Sequence, residues 1–488
     1  MTLLRRTLLS AAATAAALPL ARGALAATPS SEALAAHALN RLAWGPRPGD
    51  LARVQAMGWR AYLDEQLQPE RLPQPELDER LAALHGTPLR DTVMAYRESQ
   101  RRDPGENNME RREQVRRALG QAVQTWLMPA LDSPRQLHSV MTDFWFHHFN
   151  VFIGKGLCRV MVGDYVHRAI APHAMGRFRD LLGATAKHPA MLFYLDNYLS
   201  TKEGANVPLP GGGTGGLNEN YARELMELHT LGVDGGYTQA DVTELARVLT
   251  GWTVTPGRGR RAAGGGDSPS LFAFDPRRHD DGPKTWLGQP VPGRGQSQGE
   301  WALDQLARHP STARHLAFKL VRHFVNDEPE PALVAHVAAA FTRSGGDIRS
   351  TLQALLTHPS FIAPDTLGAK FKTPQRFAVS LLRATGQSSR PELVEPLVLG
   401  LRNLGQAPFA WPTPDGPKPT RAAWLDPEAL ARRADLAARL AQRVNPSTAE
   451  LLATLGPAIG SPTRAAVAAE PPRLQAALLL ASPDFQNC

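Results

Sequence analysis

Leu181-Leu182-Gly183-Ala184-Thr185-Ala186-Lys187-His188-Pro189 runs a leucine-rich segment into a histidine and then a proline. Related strings recur: Leu303 and Leu306 lead to His309-Pro310, Leu355-Leu356 to His358-Pro359, and Leu479-Leu480 to Ser482-Pro483. The residue before a proline is pushed out of the helical region, while the fixed φ of proline suits the first turn of a helix. Each string therefore predicts one helix ending and the next beginning. A histidine in a last helical turn can donate to the orphan carbonyls there, so His188, His309 and His358 are read as C-terminal caps rather than ligands.

Outward from these boundaries the helical period dominates and strict period-two alternation is scarce. Ser31 is read as the cap of a first helix carrying Leu34, His37, Ala38 and Leu42, and a Gly-Pro turn leads to a second helix through Val54, Trp59, Tyr62 and Leu67. The expected fold is all-α, a multi-helical array of packed helical hairpins with Gly/Pro-rich loop insertions. Gly204 to Leu217 and the Gly/Arg-rich Thr255 to Ser270 are read as surface loops, and Ala407 to Pro412 as an irregular segment whose aromatics pack on the helices. Residues 27–488 form either one large helical domain or two lobes, 27–203 and 218–488, joined by the Gly-rich loop.

The first 26 residues read as an export signal: Arg5-Arg6 precedes the uncharged, alanine-rich Leu8 to Leu20, and Ala24-Leu25-Ala26 offers small residues for cleavage. The adjacent arginines point to twin-arginine translocation of a folded protein, and so to a periplasmic or extracellular location. Of the 488 residues and net charge of +8, removal of these 26 residues and their three arginines leaves 462 residues and +5. That charge is a weak argument for a polyanion partner, and nucleic acid is disfavoured. No other apolar run is long enough to span a membrane. Two cysteines, Cys158 and Cys488, rule out a disulfide framework, a c-type haem motif and an iron-sulfur cluster, and leave one bridge or two free thiols open.

Three polar segments could carry chemistry. In Asn218 to His229, Asn220, Glu224 and Glu227 fall within a helical sector about 60° wide, opposite Tyr221, Leu225 and Leu228. Two carboxylates three residues apart can share a divalent cation or divide acid and base roles. The bland reading pairs Glu219 and Glu227 with Arg223 on a solvated face. Asp143 to Asn150 sets His147 and His148 among four aromatics, where a buried imidazole needs a defined partner. Phe274 to Lys284 crowds His279, Asp280, Asp281 and Lys284 into a turn, which could supply a ligand, a base and an oxyanion-stabilising cation, or equally a hydrogen-bonded Asx turn. The zinc-protease, serine-hydrolase and dinucleotide-binding motifs are missing.

Taken together, Leu39 to Gly49, Phe144-Trp145 to Phe149, Tyr194-Leu195-Asp196-Asn197, Asn218 to Gly232, Gly236-Tyr237-Thr238 to Thr250-Gly251-Trp252, and His279-Asp280 with Lys284 resemble the bacterial family called domain of unknown function 1800. The resemblance spans nearly the whole mature chain. It implies an exported helical protein, often encoded beside an exported protein of the phosphatase and sulfatase type. His148, Asp196, Asn197, Glu219, Arg223, Glu224, Glu227, His279, Asp280 and Lys284 fall on its polar motif positions, whereas His229 stands where phenylalanine often sits.

The expectation is a metal-assisted hydrolase acting on an extracellular polymer such as a glycan. Its divalent metal would be held by His148, His279, Glu224 and Glu227. Catalysis would fall to Glu224, Glu227, Arg223, Lys284 and Asp280, with Glu219, Asn220, Asp196 and Asn197 as further polar candidates. The alternative is a non-catalytic helical scaffold that binds cell-surface polysaccharide or an exported partner of the phosphatase or sulfatase type.

Overall fold

The computed structural model describes residues 29–101, 108–205, 207, 215–254 and 271–488. The export signal, the Thr255 to Ser270 loop and the middle of the Gly204 to Leu217 loop lie outside them. The described chain is all-α in architecture, as the periodicity predicts, with two small antiparallel hairpins. Among the described residues no helix is long and apolar enough to cross a membrane.

Helix α1 (Ser31–Leu42) is capped one residue earlier than expected, by Ser30 in place of Ser31, because the Ser30 hydroxyl accepts the Ala33 amide at 3.1 Å. Helix α2 (Gln136–His148) carries the aromatic string, with Phe144, Trp145 and Phe146 buried. Helices α3 (Phe178–Lys187) and α4 (Pro189–Tyr194) meet at His188 as predicted. The histidine closes the earlier helix with its backbone amide, which donates to Thr185 O at 3.2 Å, but its side chain caps the later helix and not the earlier one. Its extended backbone turns the ring forward, and Nδ1 accepts the Ala190 amide at 3.1 Å while Nε2 meets Asp164 at 3.1 Å. His309 and His358 do the same for the Ser311 and Ser360 amides. An imidazole nitrogen that accepts carries no hydrogen, so each of these rings is the Nε2-protonated tautomer.

Helix α5 (Asn220–Glu227) packs on α6 (Gln239–Leu249), which opens with a reciprocal cap between Thr238 and Asp241. Strand β1 (Trp252–Val254) then pairs with β2 (Phe272–Phe274), Trp252 opposite Phe274, and β3 (Thr285–Trp286) pairs with β4 (Gln289–Pro290). Elements of two or three residues are too short to leave a period-two signature. Helices α7 (Gln296–Arg308) and α8 (Pro310–Phe324) follow, and α8 packs against the helix Pro331–Arg343. Helices α9 (Pro374–Ala384), α10 (Pro427–Val444) and α11 (Pro472–Ala481) close the chain.

One apolar core runs from Ala35 to Phe409 and draws on both sides of the Gly-rich loop, with Leu181 and Leu192 before it and Leu225, Leu245 and Trp252 after it. A smaller cluster around Phe377, Leu381, Leu451, Leu479 and Phe485 joins the C-terminal helices. Each fully buried leucine or phenylalanine contributes about 1.5–3 kcal/mol, so these clusters dominate the stability. Arg383 on α9 ties the two ends of the chain. Fully buried, it meets Asp50 at 3.1 Å and donates to the carbonyls of Gly45, Ala130 and Leu131. Cys158 and Cys488 are both buried free thiols.

Candidate functional site

Helix α5 turns Tyr221, Ala222, Leu225 and Met226 into the core and leaves Arg223, Glu224 and Glu227 partly open. Glu219 and Arg223 pair at 3.2 Å, and Glu219 also accepts from Gln239 at 2.7 Å and Thr243 at 2.6 Å. These bonds lock Glu219 and Arg223 into a surface network. The Glu224 and Glu227 carboxyls take no part in it and make no hydrogen bond or ion pair with the described residues. Burial, with the like charge of Glu227, pushes the Glu224 carboxyl up to about 7. Asp415 and Tyr194 lie in the same electrostatic neighbourhood, and the Tyr194 hydroxyl is fixed by donating to Pro412 O at 2.7 Å.

Beyond Asp415 lies a cavity of about 200 Å³ between α1, α2, α8, the start of α9 and the segment 406–419. Its walls carry Arg41, Lys319, Arg322, Lys370, Arg376 and Lys418 against the acids Asp143 and Asp415, and the C-terminal Cys488 also lines it beside Arg41 and Arg376. Trp44, Phe144 and Phe371 supply apolar surface. His148 reaches it from α2, where Nε2 donates to His229 O at 3.0 Å. A carbonyl can accept but not donate, so the His148 Nδ1 is a bare acceptor, and no described group reaches it. Burial and the nearby Lys319 hold this imidazole neutral.

The His279 turn satisfies itself. His279 is fully buried, with Nδ1 at 2.8 Å from Thr250 O and Nε2 at 3.1 Å from Gln298 Oε1. Lys284 donates to Asp280 O, Gly282 O and Gln298 Oε1, and an ammonium has three donors. Asp280 is held at 2.8 Å by Arg247, which together with its bond to the Gly282 amide lowers its carboxyl. Asp196 pairs with Lys155 at 2.6 Å, and Asn197 donates to Leu249 O and Trp252 O, joining α6 to β1. Asn220 donates to Leu195 O at 3.3 Å.

The expected metal centre does not fit these residues. Binding a divalent ion needs several converging donors, and among the described residues no group of three or more His, Cys, Asp or Glu side chains could hold one. His279 has both ring nitrogens engaged, His148 keeps one free nitrogen inside an aromatic shell, and only Glu224 and Glu227 share a helix. Lys284 and Asp280 are likewise tied up in structural bonds, as is Arg223.

Sequence reasoning missed Arg41, Lys319, Arg322, His323, Arg376 and Asp415. A signal existed for three of these: Lys319, Arg322 and His323 follow His315 at the i+4, i+7 and i+8 spacing of one helix face. Arg41 stands inside the quoted Leu39 to Gly49 motif. No curated protein and no solved structure matches the chain. A family model described as "Protein of unknown function (DUF1800)" matches residues 37–487. The match extends from α1, which supplies Arg41 to the cavity, through every helix around Glu224 and Lys319 to the penultimate residue, so the chain belongs to the DUF1800 family of proteins of unknown function.

Proposed function

We propose that the mature chain is an exported hydrolase acting on an extracellular polymer such as a glycan, with Glu224 and Glu227 as its acid/base pair. The observation that carries this reading is the unpartnered Glu224 carboxyl, pushed up to about 7 beside a second carboxyl on the same helix face. Neighbouring carboxyls whose environments separate their proton affinities are suited to general acid and general base work at neutral pH. Glu224 donates its proton to the leaving oxygen, Glu227 takes a proton from the attacking water, and the bond between the polymer units breaks. The chemistry runs on the side chains of the chain itself, in place of the expected metal. Export rests on the Arg5-Arg6 leader.

The test is reducing-end release from polygalacturonate, alginate and hyaluronan by the mature protein and its Glu224→Gln variant. Release by the wild type that falls about 100-fold or more in a variant of unchanged melting temperature supports the assignment. Equal rates in the two proteins contradict it and return the chain to the scaffold reading, in which it binds polysaccharide or an exported phosphatase- or sulfatase-like partner.

A further inference from the structure

We propose that the cavity between α1, α2 and α8 binds the oxyanion group of a hydroxyl-bearing organic ligand, an acidic sugar unit carrying a carboxylate or phosphate. The proposal does not rest on the acid/base reading of Glu224 and Glu227.

Donors are in surplus. Arg41 is 2% exposed and spends Nη2 on Val325 O and Thr366 O, at 3.3 and 2.8 Å, which leaves its buried Nε and Nη1 without a partner. Arg376 spends Nη2 on the carbonyls of Asn40, Arg41 and Ala43 and leaves Nε unpartnered. The Lys319 ammonium makes no hydrogen bond or ion pair with the described residues. Buried donors are normally satisfied, and clustered orphan donors on cavity-lining side chains mark the place of an acceptor the protein does not supply.

Charge is in surplus too. Lys370 is compensated by Asp327, but the partners of Arg41 and Arg376 are neutral carbonyls. Burial brings Arg41 down to about 10 and Lys319 to about 8 against the opposing pull of Cys488 and Asp327 on Arg41 and of Asp415 on Lys319, and neither cation is hydrogen-bonded to a counter-charge among the described residues. A carboxylate or phosphate seated among them would supply one, in the fork geometry that guanidinium groups offer.

A bare inorganic ion would leave part of the cavity unused. The His148 Nδ1 is a buried acceptor, and Asp143 and Asp415 add carboxyl oxygens; these match ligand hydroxyls. Trp44, Phe144 and Phe371 give the apolar surface on which a sugar ring packs. Asp415 is an exposed residue of the lining, so the cavity is reached from solvent beside it.

Isothermal titration calorimetry of the mature protein with glucuronate, glucose 6-phosphate, glucose and inorganic phosphate tests the proposal. Lys319→Gln is the informative variant, since Nζ has no hydrogen-bond or ion-pair partner among the described residues to lose, and its melting temperature verifies the fold. Arg41→Gln is the second. The expected result is binding of glucuronate or glucose 6-phosphate at least tenfold tighter than glucose or inorganic phosphate, weakened tenfold or more in Lys319→Gln. The proposal is overturned if neither charged sugar binds at about 10 mM, if glucose binds as tightly, or if Lys319→Gln binds as the wild type does. Inorganic phosphate bound as tightly as glucose 6-phosphate would overturn the sugar assignment.

Discussion

Gly416 lies so close to His147 that a Cβ on it would sit 2.2 Å from the His147 carbonyl oxygen. Its φ is +69°, a conformation that side-chain-bearing residues rarely adopt. This glycine presses the 413–419 segment onto the end of α2 and so forms one wall of the basic cavity. Gly416→Ala is expected to cost about 2 kcal/mol and to displace Asp415 from the rim. Denaturant unfolding measures the first effect and glucuronate titration the second; an unchanged midpoint would show that the segment is held elsewhere.

The Arg383–Asp50 pair makes a separate expectation. Asp50→Ala strands a buried guanidinium and is expected to destabilise by roughly 3–5 kcal/mol, whereas Arg383→Met with Asp50→Ala together should recover part of that loss. A double-mutant cycle read by urea unfolding decides it, and additive losses would contradict the pairing.

His279 and Lys284 should behave as structural residues. His279→Ala removes the partner of Thr250 O and Gln298 and is expected to lower stability by about 1–3 kcal/mol. The folded variant should retain polymer hydrolysis. A melting temperature equal to the wild type with lost activity would restore the turn to the catalytic site.

Glu224 makes stability depend on pH in a defined direction. Its folded carboxyl is raised from 4.5 to about 7, so its contribution is fully present below 4.5 and is lost as pH rises through 7. Glu224→Gln cannot lose that contribution. At pH 8 the variant is expected to be more stable than the wild type, by no more than about 2 kcal/mol once solvent screening at this half-open position is allowed for. Near pH 4 the difference should vanish, and parallel stability curves from pH 4 to 8 would contradict the raised carboxyl.

Helix boundaries were legible wherever a leucine run met His-Pro, because proline and the residue before it are constrained locally. The histidine ring was assigned to the wrong helix there, since the ψ of the histidine, near 135°, decides which amides its ring can reach. The Glu224 and Glu227 face was legible for a similar reason: both residues sit on one helix, and periodicity places them. The cavity was not, because Arg41, Lys319 and Arg376 arrive from three helices far apart in the chain, and each alone reads as a surface base. The His279 turn misled in the opposite way. Its partners Thr250 and Gln298 stand 29 and 19 residues away, so a satisfied network looks like a cluster of free functional groups.

The most direct test of the acid/base pair is the titration of Glu224 itself, followed by the carboxyl carbon resonance of the mature protein labelled with carbon-13 at glutamate and assigned by loss of the signal in Glu224→Gln. The expected midpoint is near pH 7, moving downward in Glu227→Gln as the neighbouring charge is removed. A midpoint near 4.5 that ignores Glu227 would contradict the assignment of this helix face as the catalytic one.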